Sequence, residues 1–406
     1  MRCQTLSVVA LASFMLLTAC GGSGGNPGTV VPPGSGGTTS GSAGTTSAAG
    51  TTSSAGAAGS AGSAGSAASS GGTSAGSGGA GASGAAGTSS DNYGNIPGLE
   101  DLSTVKPSAG CGTDITAAYP GIMNGQWQPV DNHDYMSGYQ IAITSPAMHP
   151  VVPGKVLQRR YFIRLPPNYD KSHVYKLLYQ GAGCTGKGTD VSAFDTVTNG
   201  KAIQIALEIY PGVWGGGSDT SGAGDPGVSC FDDKRGALSI EAPFIEALHE
   251  RLKSQLCFDE HRVFIAAHSS GGWLSNQFGA SYGSKIFRAI SPSSGGLAQG
   301  TLEQPPDGLP VPGIWWHQPL DGTNPFQGTV DGINHALIVN KCTPDFDTSP
   351  EAAAPFPNVS ICQKFTSCPA QFPIIVCRVT AGGGDHRNNL DDPNQRAAAW
   401  SFFDAF

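Results

Sequence analysis

Ala267-His268-Ser269-Ser270-Gly271-Gly272 directly follows the apolar run Arg262-Val263-Phe264-Ile265-Ala266 and leads into Trp273-Leu274. The run reads as a buried strand and the residues after Gly272 as a helix to about residue 278. A serine at such a junction can sit on a sharp turn that lifts its hydroxyl above the edge of a sheet. That turn needs small residues two before and two after the serine, because strand and helix backbones pass close together there. Ser269 meets the requirement with Ala267 and Gly271, and departs from Gly-x-Ser-x-Gly by one methyl group. Moving the register to Ser270 would put His268 at a small position, where a bulky ring fits poorly. The plainer reading, a structural serine in a glycine-rich turn, leaves the flanking strand and helix unused. Ser269 is the candidate nucleophile.

Outward from this turn, strand and helix patterns alternate. Residues 160–165, 174–179 and 202–210 read as strands ended by Pro166-Pro167, a glycine-rich turn and Pro211-Gly212. Residues 240–256 read as a helix, with Phe244, Leu248, Leu252 and Leu256 four apart on one face. Three more strands are expected at 287–290, 313–317 and 373–379, and a closing helix at 397–406. Alternation of this kind predicts an α/β domain, a mostly parallel sheet covered on both faces.

Two further turns carry chemistry. Thr380-Ala381-Gly382-Gly383-Gly384-Asp385-His386 follows the last strand, where a loop can carry an imidazole to the carboxyl edge of the sheet. Neutral imidazole can take a serine proton and return it to a leaving group. His386 is the candidate base, set against the bland reading of a solvated loop histidine. Gln318-Pro319-Leu320-Asp321 follows the strand before, and the order nucleophile, acid, histidine makes Asp321 the candidate acid. Asp331, read as lying on another loop position, is a rival, and Asp385 is too close in the chain to point at its neighbour. The backbone N–H of Ser270 and that of Ala182, in the turn after strand 174–179, are the expected oxyanion donors. The latter turn lacks the Gly-Lys-Ser/Thr of a phosphate-binding loop.

Residues 1–20 combine a basic start, an apolar run of about a dozen residues and Leu17-Thr18-Ala19-Cys20. This is the pattern of an export signal and is too short to span a bilayer core of about 30 Å comfortably. The ending resembles the lipobox of bacterial lipoproteins, which implies lipidation of Cys20, contact with a lipid bilayer, and an outer-membrane, cell-surface or released extracellular location. Residues 21–90 are almost only Gly, Ala, Ser and Thr and read as a flexible linker. Residues 91–406 are then one large domain. The net charge of −8, without a Lys/Arg cluster, argues against nucleic acid. Eight cysteines remain in the domain: Cys111, Cys184, Cys230, Cys257, Cys342, Cys362, Cys368 and Cys377. In an exported chain they read as disulfides, and with no Cys-x-x-Cys spacing zinc is not expected. Of about 105 possible pairings, nearness in sequence favours Cys230 with Cys257, Cys362 with Cys368 and Cys342 with Cys377.

Residues 161–170, 257–259, 262–264, 269–274, 340–342, 362–368, Cys377 and 400–403 together resemble the secreted feruloyl-esterase and polyhydroxybutyrate-depolymerase group of α/β hydrolases, with the related acetylxylan esterases. The resemblance covers nearly all of 155–406. It implies a disulfide-stapled α/β-hydrolase fold, a Ser269–Asp321–His386 triad, and hydrolysis of carboxylic esters without metal or organic cofactor. Two departures bear on substrate choice: Gln180-Gly181 where the group has His-Gly, and Gln318-Pro319-Leu320-Asp321 where it has Gly-Thr-x-Asp. Trp127, Trp214, Trp273, Trp315 and Trp316 could line a cleft, although most tryptophans in such a domain pack in the core. Trp273, Trp316 and Gln180 are the candidate substrate contacts. Feruloyl or acetyl esters of plant polysaccharide are the first expectation, and a short-chain polyhydroxyalkanoate the second. A polymer or small ester is the expected partner of a monomer. A catalytically inactive binding lipoprotein on the same fold would show a broken triad position, and none is broken in the sequence.

Overall fold

Both faces of the central strands are apolar, and this makes the sheet an inner layer. In the strand preceding Ser269, Val263, Ile265 and Ala267 belong to one buried cluster, while Phe264 and Ala266 belong to another. Other central strands repeat the division, with Leu177 and Tyr179 against Leu178, and Trp315 against Ile314 and Trp316. Successive side chains of a strand point to opposite faces, so a sheet with no polar side must be covered twice.

The computed structural model describes residues 102–133, 137–149, 152–210, 230–231, 240–297, 309–342, 346–347, 361–366, 368–379 and 386–406. Residues 1–101, with Cys20 and the linker, lie outside the described residues, as do Trp214 and the loop 380–385 with Asp385.

The strands are β1 (Trp127–Gln128), β2 (Tyr139–Thr144), β3 (Val156–Arg164), β4 (Tyr175–Gly181), β5 (Ala202–Leu207), β6 (Phe258–His268), β7 (Ala289–Ser293), β8 (Gly313–His317), β9 (Phe346–Asp347), β10 (Ile361–Phe365) and β11 (Ile374–Arg378). The helices are α1 (Asp195–Thr198), α2 (Glu241–Gln255), α3 (Ser270–Tyr282), α4 (Phe326–Val339) and α5 (Pro393–Asp404). Strand order is β1-β3-β5-β4-β6-β7-β8-β11-β10-β9, with β2 also on β3. Strands β5, β4, β6, β7, β8 and β11 run parallel, and β3 runs antiparallel to β5. Taken from β2, the order of the first eight strands is one, two, four, three, five, six, seven, eight, the winding of the α/β-hydrolase fold. The chain turns from one side of the sheet to the other at β4, between β5 and β6. In open α/β sheets ligands bind at the carboxyl ends of strands at such a switch point.

Residues of α2, α3 and α4 join the first cluster, and Ala398, Ala399, Trp400, Phe402 and Phe403 of α5 join the second. All four residues of the apolar stripe on 240–256 are fully buried. The closing helix starts earlier than its apolar pattern because Asp392 caps it, accepting from the N–H groups of Asn394 and Gln395, with Pro393 as its first residue. Helix α4 was not read from the sequence. It contains Gly328 and Gly332, which weaken helix propensity. Their backbones must come close to neighbours: a Cβ at Gly328 would lie 3.1 Å from the Gly296 Cα, and one at Gly332 3.0 Å from Asn276 Oδ1. Asp331 therefore lies on this helix and not on a loop, and accepts from Gln327 Nε2 at 2.9 Å.

The eight cysteines form four disulfides: Cys111–Cys257, Cys184–Cys230, Cys342–Cys368 and Cys362–Cys377. This corrects all three pairings favoured by nearness in sequence. Cys362 and Cys377 are directly opposed on antiparallel β10 and β11, so Cys368 is left for Cys342 at the end of α4. Cys257 precedes β6, where the segment around Pro107 is bridged to Asp259, and this brings Cys111 to it.

Candidate active site

Ser269 has φ 55° and ψ −116°, a left-handed backbone conformation costly for any residue with a side chain. The strain is held on every side. The Ser269 N–H donates to Ser293 O at 2.9 Å, Trp273 N–H donates to Ser269 O at 2.9 Å, and Gly271 N–H donates to Ala182 O at 3.1 Å. Gly271 is dictated by space, since a Cβ there would lie 2.5 Å from the Gly181 carbonyl oxygen. A Cβ on Gly272 would likewise lie 2.7 Å from Ser293 O. Helix α3 starts at Ser270, three residues before the expected point, so the serine sits at the helix entry.

His386 bridges the other two residues. Its Nε2 is 2.8 Å from Ser269 Oγ and its Nδ1 is 2.7 Å from Asp321 Oδ2. The Asp321 side chain is 0 % exposed and that of His386 18 %. Burial works to raise the Asp321 carboxyl, but hydrogen bonds from His386 and from the N–H groups of Asn324 and Thr323 outweigh it and hold the pKa below the usual value. Oδ1 accepts from Thr323 N at 2.8 Å and Asn324 N at 2.9 Å, so the turn after β8 makes its own anchor for the carboxylate. An ionised Asp321 keeps hydrogen on His386 Nδ1 and leaves Nε2 as the acceptor facing the serine.

The two backbone groups named as oxyanion donors lie at the same edge. Ser270 is the first residue of α3, and its N–H has no intrahelical acceptor. The turn carrying Ala182 packs on the elbow: a Cβ on Gly183 would lie 3.1 Å from Ser269 Cβ and 3.5 Å from its Oγ. The Cys184–Cys230 disulfide ties the residue after this turn to a segment beyond β5. Phe231, next to Cys230, packs on Gly181.

Two of the three candidate substrate contacts are corrected. Gln180 is 1 % exposed and donates from Nε2 to Gln204 Oε1 at 3.0 Å, inside the sheet. Trp316 is 0 % exposed, and its indole donates to Ser291 Oγ at 3.1 Å. Trp315 is also core, donating to Asn276 Oδ1 at 2.7 Å. Trp273 is half-buried against Gly296 and Gly328.

Several supporting residues escaped the sequence reading. The turn Ser293-Ser294 after β7 clamps the histidine segment: Ser294 Oγ donates to Arg387 O at 2.9 Å, Asn389 Nδ2 lies 3.0 Å from Ser294 Oγ, and Asn389 N–H donates to Ser293 Oγ at 3.0 Å. The polar run Ser291-Pro292-Ser293-Ser294-Gly295-Gly296 at the carboxyl end of a strand was the available signal. His268 lies beside His386 with ring centroids 4.9 Å apart. Burial, reinforced by the His386 charge, pushes its pKa down to about 3, so it stays neutral there. Among the described residues no group of three or more His, Cys, Asp or Glu side chains is arranged to hold a metal ion.

An α/β-hydrolase fold with a serine at the elbow after β6, a carboxylate after β8 and a histidine after β11 defines the class of the chain. No family model matches the sequence. Among curated proteins it is similar to a probable feruloyl esterase C of Aspergillus niger, with 27 % identity over 210 residues, 48 % of this chain and 67 % of that protein. It is also similar to feruloyl esterase C of Emericella nidulans, with 26 % identity over 259 residues, 60 % of this chain and 83 % of the relative. The chain thus spans about two thirds of the first of these relatives. Among solved structures, an acetyl xylan esterase from Aspergillus awamori is 15 % identical with a TM-score of 0.43, over 66 % of this chain and 100 % of that one.

Proposed function

We propose that this chain is an exported serine esterase that hydrolyses carboxylic esters, and that its substrates are feruloyl or acetyl esters on plant polysaccharide. The observation that carries the proposal is the hydrogen-bonded series Ser269 Oγ, His386, Asp321, with 2.8 and 2.7 Å links, on a strained elbow. His386 Nε2 takes the proton as Ser269 Oγ attacks the ester carbonyl. The N–H groups of Ser270 and Ala182 receive the negative charge that forms on the carbonyl oxygen. The alcohol leaves with the proton from His386, and water, activated by the same ring, then releases the acid from the acyl-enzyme.

Similarity to feruloyl esterases supports the substrate class. Four disulfides suit an oxidising compartment. The export signal and Cys20 support a lipid-tethered form in which residues 21–90 act as a stalk, useful where the substrate is a polymer too large to import.

The test is hydrolysis of methyl ferulate, p-nitrophenyl acetate and a polyhydroxybutyrate emulsion by the wild-type chain. Preference for the ferulate or acetate ester is expected. Turnover confined to the polyester would overturn the polysaccharide reading.

A further inference from the structure

We infer that His317 is a positioning residue for Asp321, fixing the plane of the carboxylate that orients His386. The inference rests on the proposed esterase reading. His317 ends β8 four residues before Asp321, and its side chain is 0 % exposed. Its Nε2 lies 2.9 Å from Asn324 O and 3.4 Å from Asp321 Oδ2. A backbone carbonyl can only accept, so this nitrogen carries its hydrogen whichever charge state the ring holds. That hydrogen is donated to Asn324 O, the carbonyl of the residue whose own N–H holds Asp321 Oδ1, so the ring acts on the carboxylate through Asn324, with Asp321 Oδ2 3.4 Å from the same nitrogen. The other nitrogen is 2.6 Å from Thr329 Oγ1 on α4, and Phe326 meets the ring edge-on, so the imidazole is held at both ends.

The arrangement around Asp321 is closed. Oδ1 is held by Thr323 and Asn324 N–H groups. Oδ2 is bonded to His386 Nδ1 at 2.7 Å, and His317 Nε2, bonded to Asn324 O, lies 3.4 Å from it. Asn324 serves twice, donating its N–H to Asp321 and offering its carbonyl to His317. Its own side chain donates to Ser294 O, which ties the loop to the β7 turn. Without the His317 bond to its carbonyl, Asn324 would lose its fixed place, Asp321 could turn about the Cβ–Cγ bond, and His386 would lose the direction that aims Nε2 at Ser269. Small losses of alignment at reacting groups cost one to two powers of ten in rate.

The experiment compares His317→Leu, which fills the space without a donor, with His317→Gln, which keeps an N–H. Both are measured with p-nitrophenyl acetate beside wild type and Ser269→Ala. For His317→Leu, kcat is expected to fall on the order of ten- to a hundredfold with little change in KM. The acid limb of the kcat/KM profile should move to higher pH, since a carboxylate whose Asn324 donor is loosened is a stronger base toward His386. His317→Gln should recover most of kcat. Equal damage in both variants, or an unchanged pH profile in folded His317→Leu, would overturn the inference. If His317→Leu does not fold, Thr329→Val, which releases the ring from α4, must lower kcat in the same way, and wild-type kcat there would overturn it. Wild type inactive on every ester would defeat the esterase reading instead. The low-field proton resonance of His386 Nδ1–H then decides, with a shift in His317→Leu expected and an unmoved signal contradicting the positioning role.

Discussion

Asp321 Oδ2 stands 2.7 Å from His386 Nδ1, and the two residues are 65 positions apart on loops that follow β8 and β11. Those strands are parallel neighbours, with Trp316 beside Cys377 and His317 beside Arg378. The sheet therefore delivers both loops to the same edge. Asp321→Asn should leave the fold intact and lower kcat on the order of 10⁴-fold by favouring the wrong tautomer of His386. Circular dichroism and steady-state kinetics check this, and the same substitution at Asp331 should leave kcat unchanged.

The elbow tolerates no added methyl group. Gly271→Ala sets a Cβ 2.5 Å from the Gly181 oxygen and 3.0 Å from the Ala182 oxygen, both backbone atoms. Forcing them apart costs about 1–3 kcal/mol and moves the oxyanion turn. Gly322→Ala meets nothing within 4 Å and serves as the control. Thermal denaturation and ester turnover should separate the two variants, with Gly271→Ala weakened in both and Gly322→Ala near wild type.

The disulfides differ in the chain length they close. Cys362–Cys377 spans 15 residues and Cys111–Cys257 spans 146. By loop-closure entropy, removing the first costs about 3 kcal/mol and removing the second about 5 kcal/mol. Urea unfolding of the two double-alanine variants should rank them in that order, and the reverse order would contradict the pairing or the mechanism. Peptide mapping without reduction should recover the four linked pairs.

Glu208, 2 % exposed, follows β5 and accepts from Gly188 N–H at 2.5 Å, tying down the loop that continues from the oxyanion turn. Burial, with the Asp131 charge beside it, raises the Glu208 carboxyl from 4.5 to about 8. The folded chain thus holds a proton that the unfolded chain releases. The stability this provides is full below about pH 4.5 and is lost as pH rises through about 8. Glu208→Gln removes the titration, so its melting temperature should fall less than that of wild type between those limits. Parallel curves would contradict the assignment.

Ser269 was legible because the constraint on it is local. Ala267 and Gly271 lie within two residues, and the strand and helix that strain the turn flank it directly. His386 and Asp321 followed from strand order, which apolar periodicity marks well. Residues whose meaning depends on which strands become neighbours were not legible. Cys362 faces Cys377 only because β10 folds back on β11. Gln180 reads as a substrate contact because it stands where the resembled group has histidine, yet its strand position turns it inward toward Gln204. Trp316 occupies the same kind of position on β8, and helix α4 was hidden by the glycines that let it pack closely.

The proposed activation of Ser269 by His386 can be read from covalent labelling with a fluorophosphonate probe followed by peptide mass analysis. The expected result is a single adduct on the peptide containing Ser269, absent in Ser269→Ala and strongly slowed in His386→Ala. Labelling that persists in Ser269→Ala, or a folded wild-type chain that takes up no probe, would contradict it.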